Sequence, residues 1–230
     1  MSHQSVQIDP LESPHPVPWG WVLATMTASS SNHRSGLAYY RTQTLISPDR
    51  EYAAYSRIQM QVEPDYFRSH VTSVLFLENL RTGDLQAITP KAPLADNPFL
   101  STGIDLVGRV SIVIPVSWSE AGDRLLAREF ESIFGSDVAS DYAVVVDRKR
   151  NRVSTVSPTR IHYTNAVLLG WSQFYPERVL FRAGILGEEN WQQWTVDVDG
   201  QTGLAKGDRA ILYGQFINSV WTGPQMQPQV

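Results

Sequence analysis

The chain has 230 residues, 42% hydrophobic and 18% charged, which is enough apolar content for a sizeable core and too much for a disordered chain. Its net charge of −4 lacks the basic excess that a dedicated nucleic-acid binder uses to displace counterions. With no cysteine, disulfide frameworks, thiolate metal sites and cysteine nucleophiles are excluded, and a reducing, cytoplasmic setting is expected.

Residues 1–18 carry Pro10, Pro14, Pro16 and Pro18 without periodicity and lack the basic start and apolar stretch of a secretory leader. They are expected to form a flexible, proline-rich arm, and residues 223–230 a similar tail. Between them, residues 19–222 are expected to form a single all-β domain. Strand-length apolar runs alternate there with turn residues, and the seven Trp, nine Tyr and eight Phe suit pleated surfaces. The longest apolar runs, such as 110–116, are too short to span a bilayer.

An acid-Arg pair recurs at turns, each time opening an apolar run. Asp49-Arg50 follows Ile46-Ser47-Pro48, and Asp123-Arg124 follows Val116-Ser117-Trp118-Ser119. Glu177-Arg178 follows Leu169-Gly170-Trp171-Ser172, and Asp208-Arg209 follows Gly203-Leu204-Ala205. An acid at a turn accepts backbone N–H groups across it, and the arginine stem then covers apolar surface. The first three copies each lead to a second hairpin: 71–89 turning at Arg81-Thr82-Gly83-Asp84, 142–156 near Arg150-Asn151, and one from 191 turning at Asp199-Gly200. Strand, turn, strand, loop, strand, turn, strand is the plan of a propeller blade.

The copies are unevenly spaced. A proline-rich insert at 90–103 explains part of this, and the fourth copy ends before an outer hairpin. Residues 20–27 or 37–45 are expected to supply missing strands and cover open edges. Residues 120–134 carry two signals. Leu126, Phe130, Ile133 and Phe134 fit helical spacing, whereas the repeat alignment places a strand from Arg124 to Phe130, which is the preferred reading.

At these turns the chain resembles the TolB-type β-propeller repeat, whose blades carry Trp-Ser-Pro-Asp-Gly before an apolar strand. Ile46-Ser47-Pro48-Asp49 keeps Ser-Pro-Asp, Trp118-Ser119 through Gly122 keeps Trp-Ser and the glycine, and Trp171-Ser172 keeps the first pair. The stretch 75–89 resembles the outer hairpin of such a blade. The resemblance implies a small or incomplete propeller of about four irregular antiparallel blades that binds other molecules, commonly proteins. The alternative is a β-sandwich-like fold with one helix near 120–134.

No motif assigns chemistry. The histidines His3, His15, His33, His70 and His162 show no metal-ligand spacing, and no phosphate-binding loop is present, so no metal or cofactor is expected. Ser117 and Ser119 lack the elbow of a serine nucleophile and read as turn residues, although a triad with His162 and Asp137 can be drawn. Paired carboxylates occur at Glu129/Glu131, Asp137/Asp141 and Glu188/Glu189. Glu129 and Glu131 would share a strand face, and they carry the alternative reading of a hydrolase with acids in a central depression. The favoured reading is a non-enzymatic scaffold for a protein partner, with Phe174, Tyr175 and the basic hairpin residues Arg148, Lys149 and Arg150 as candidate contacts. The bland reading of that basic run is a solvated turn.

Overall fold

The computed structural model describes residues 9–32, 35–89 and 108–225. Helix α1 (Trp19–Asn32) is followed by strands β1 (Gly36–Arg41), β2 (Thr44–Ile46), β3 (Tyr52–Val62), β4 (His70–Asn79) and β5 (Leu85–Ile88). Next come β6 (Arg109–Trp118), β7 (Arg124–Ile133), β8 (Ala139–Asp147) and β9 (Arg152–Val156). Then follow β10 (Asn165–Ser172), β11 (Val179–Gly184), β12 (Gln192–Val196) and β13 (Thr202–Leu204). Last are the short β14 (Ala210–Ile211), β15 (Gln215–Ile217) and β16 (Gly223–Gln225). The fold class is all-β. His3, His33, the first eight residues of the arm, the insert at 90–103 and residues 226–230 lie outside the described residues.

Three antiparallel meanders of four strands organise the body: β2 to β5, β6 to β9, and β10 to β13. The first two share one open sheet, joined by a parallel pairing of Val71 with Val110, and the third lies in a second open sheet with β14. One device links successive meanders. The Val113 amide donates to Ser73 Oγ at 2.7 Å, so β6 lies along β4. In the same way the Leu168 amide donates to Asp141 Oδ2 at 2.9 Å, so β10 lies along β8.

Residues 124–133 are strand, which removes the helix of the alternative fold. Leu126 and Phe130 are four apart, a spacing that shares a face in a helix and in a strand alike. Pairing decided it: β7 is laddered to β6 on one edge and β8 on the other. Leu125 and Ala127 enter one core cluster, while Leu126 and Phe130 enter the two clusters on the opposite face.

Helix occurs instead at residues 19–32, where a strand over 20–27 was expected. The Pro18 carbonyl accepts the amides of Trp21 and Val22 and starts the first turn. Trp19, Val22 and Met26 then fall at helical spacing and pack on the core under β3 and β6. The other expected source of strands, 37–45, does supply β1 and β2.

The arm is not loose over residues 9–18. Leu11 and Val17 are buried, and Asp9 accepts the amides of Leu11, Ser13 and Val17 at 3.0–3.2 Å, curling this stretch around one carboxylate. Nor do residues 223–225 hang free, since β16 pairs with β1 from Tyr39 to Arg41. The fourth acid-Arg pair does not open a fourth meander. Instead the segment from Asp208 visits the ends of the earlier first strands in reverse order. β14 pairs with β10, Tyr213 bridges Trp118 at the end of β6, β15 pairs with β2, and β16 reaches β1. Gly214 makes the bend between two of these stops at φ +101°, where an added Cβ would lie 2.7 Å from the Ile46 carbonyl oxygen.

Candidate interaction surface

The first turns of the first two meanders are built alike. Ser47 Oγ donates to Asp49 and accepts the Tyr52 amide, and Ser119 Oγ donates to Asp123 and accepts the Arg124 amide. A hydroxyl able to donate and accept at once closes such a turn, which is why serine precedes the acid. In the third meander the turn is longer, and Glu177 faces outward to pair with Arg124 at 3.2 Å. Asp208 takes its place, accepting Ser172 Oγ and the amides of Gln173, Phe174 and Arg209. The fourth acid therefore completes the third turn. Asp208→Ala is expected to cost about 1–3 kcal/mol, since it strands buried donors, and to loosen the attachment of the C-terminal segment. Urea unfolding and amide exchange at Gln173 and Phe174 measure it.

This turn holds Phe174 and Tyr175 at the surface, 58% and 53% exposed. Along the attached segment Leu212, Phe216, Ile217, Val220 and Trp221 are also exposed, Trp221 to 66%. No charged residue occurs from Ala210 to the chain end. Two of the three basic candidates reach the same end of the body. Lys149 pairs with Asp123 at 2.8 Å with its side chain 73% exposed, while Arg150 pairs with Asp147 at 3.1 Å. Arg148 plays another part. Its side chain is 16% exposed, lies 3.5 Å above the Tyr52 ring, bonds Asp49 and the Gly122 carbonyl, and so clamps the first turn to the second.

Two ionic clusters lie inside. Glu129 and Glu131 share a face of β7, as their spacing requires, and both are buried. Arg109 pairs with Glu131 at 3.1 Å, Ser111 donates to Glu129 Oε1, and Glu129 Oε2 has no hydrogen-bond partner among the described residues. Burial first, and then the charge of Glu131, pushes the Glu129 carboxyl up to about 8. On the other face Arg128, fully buried, bonds Asp141 at 2.7 Å, Asp9 at 2.7 Å and the His15 carbonyl at 2.6 Å. Sequence reading missed this hub and grouped Asp141 with Asp137. The signal was an arginine two residues from Leu126 and two from Phe130, on the inward side of its strand.

The remaining candidates stay apart. Asp137, Glu188 and Glu189 are exposed, Ser119 is bonded within its turn, Ser117 lies instead in β6 and bonds the Trp118 carbonyl and the Tyr213 amide, and His15 donates Nε2–H to the Leu169 carbonyl at 2.9 Å. Among the described residues no group of three or more histidines and acids could hold a metal ion. No protein-family model matches the sequence, and no curated protein matches it.

Proposed function

We propose that the chain is a non-enzymatic binding module, a small propeller-like body that offers its turn end to a protein partner. One observation carries this reading. Phe174 and Tyr175 stand exposed on a turn that Asp208 closes, and the charge-free segment that begins two residues later exposes five more large apolar side chains. Exposed apolar surface rimmed by charges such as Lys149 and Arg150 is how interaction sites differ from ordinary surface. The propeller-like description draws on the repeated turns, the repeated step between meanders and the resemblance of the turns to TolB-type repeats.

The rival reading, a hydrolase with acids in a central depression, has weaker support. Glu129 has the raised pKa of a proton donor beside a second carboxylate, yet both acids are buried and neither lines the cavities described below.

Phe174→Ala with Tyr175→Ala tests the proposal. Partners recovered with the intact tagged chain are expected to be lost from the double variant, with affinity down at least about tenfold for two aromatic anchors. Trp221→Ala should act in the same direction, and Val138→Ala, exposed on the hairpin at the opposite end of β7, should not. Undiminished recovery of every partner by the double variant would overturn the assignment.

A further inference from the structure

Between the arm, the middle of β6 and the C-terminal segment lies a cavity of about 440 Å³, within the size range of small-ligand pockets. A second cavity, of about 590 Å³, lies beside Arg182 and Trp191, but Glu12, Glu188 and Glu189 surround its single arginine and supply no coherent recognition chemistry. The first is different. Among the described residues no Asp, Glu, Lys or Arg lines it.

Its two titratable groups are neutral near pH 7. Burial pulls the His15 imidazole below its ordinary value and lifts the Tyr40 hydroxyl above its own. A wall without charge offers nothing to offset the desolvation of an ionic ligand. It does offer directional polar groups. Because His15 spends its Nε2–H on the Leu169 carbonyl, Nδ1 is left as an acceptor. Neither that nitrogen nor the Tyr40 hydroxyl bonds any described residue. Gln43 Nε2 donates to Asn218 Oδ1 at 2.8 Å, which orients the pair and leaves Gln43 Oε1 to accept and Asn218 Nδ2 to donate. Thr42 and Thr222 add hydroxyls to the same wall. The apolar part of the lining is stiff: the Tyr40 and Phe216 rings and four proline rings, Pro115 of β6 among them.

Flat apolar faces alternating with neutral donors and acceptors match a ring that carries C–H faces and hydroxyl edges. We propose that this cavity binds a neutral, polyhydroxylated small molecule of mono- or disaccharide size. The site takes Phe216 from the charge-free segment but neither Phe174 nor Tyr175.

The test uses the intact chain with glucose, N-acetylglucosamine and maltose as probes, read by saturation-transfer NMR and by tryptophan fluorescence. Trp21 is a suitable reporter because its ring lies 5.4 Å from that of Tyr40. Saturable binding of at least one neutral probe is expected, with glucuronate and glucosamine, ionic versions of the same ring, at least about tenfold weaker. Tyr40→Phe deletes only a hydroxyl, and Gln43→Ala an exposed amide together with its bond to Asn218. Each should weaken the best probe by about tenfold, the worth of one good hydrogen bond. Phe174→Ala with Tyr175→Ala should bind it unchanged, which keeps this result independent of partner recovery. Absence of saturable binding by all three neutral probes overturns the proposal. So does equal binding of the ionic analogues, or binding unaffected by both cavity variants.

Discussion

Arg128→Ala is expected to cost about 3–5 kcal/mol of stability, the penalty for breaking a buried ion pair and leaving its partners uncompensated. The guanidinium joins three parts of the chain directly and a fourth through Asp141. It sits on β7, bonds Asp141 of β8, and holds Asp9 and the His15 carbonyl of the arm. Asp141 in turn accepts the Leu168 amide of β10. Without the arginine, two buried carboxylates face each other across an apolar space. The variant should unfold at markedly lower urea and should be clipped by protease within residues 9–18 before the body is cut. Wild-type resistance of that stretch in the variant would show that Leu11 and Val17 anchor the arm unaided.

The same hub gives a pH dependence. Burial pushes the Asp9 carboxyl up, but the Arg128 hydrogen bond and charge, with the Leu11 and Val17 amides, outweigh this and leave it below its ordinary 3.8. An acid with a lowered folded pKa contributes stability that is complete above the unfolded value and lost as pH falls through the folded one. Asp9→Asn should therefore flatten the acid limb of the stability curve below 3.8.

Glu129→Gln is expected to act in the opposite direction and stabilise the protein. With its folded value raised from 4.5 to about 8, the buried Glu129 keeps its proton over a range in which the unfolded chain has released it. Folding is then penalised increasingly as pH rises through that window, by up to about 4 kcal/mol at its upper end and by nothing at about pH 4. Glutamine has the same shape and no charge to desolvate. Urea unfolding of both proteins across the window should give curves that coincide in acid and diverge with rising pH. A constant offset at all pH values would mean that Glu129 ionises normally in the fold. The buried acid pair would then be an ordinary part of the core.

Much of the architecture was readable because it is local. Arg81-Thr82-Gly83-Asp84 and Asp199-Gly200 are hairpin turns by their own backbone preferences, and both hairpins are present. Ser47-Pro48-Asp49 and Ser119 to Asp123 close through bonds within a few residues. Asp208 was misread for the opposite reason. Its partners Ser172, Gln173 and Phe174 lie more than thirty residues upstream, so an acid-Arg pair that looks like its predecessors locally does a different task. The basic hairpin divides in the same way. Lys149 and Arg150 are surface charges, as their turn position suggests, whereas Arg148 is drawn inward by Tyr52 and Asp49 from another meander.

Turn chemistry and two-residue alternation, properties of neighbouring residues, suffice for an all-β chain of repeated hairpins. Assembly settles the remainder. Pairing on both edges makes β7 a strand despite its helical spacing, and the apolar surface under β3 and β6 makes residues 19–32 a helix. A single buried arginine turns part of a proline-rich arm into core. These outcomes depend on desolvation and on partners distant in the chain, and both come into existence only when the sheets meet.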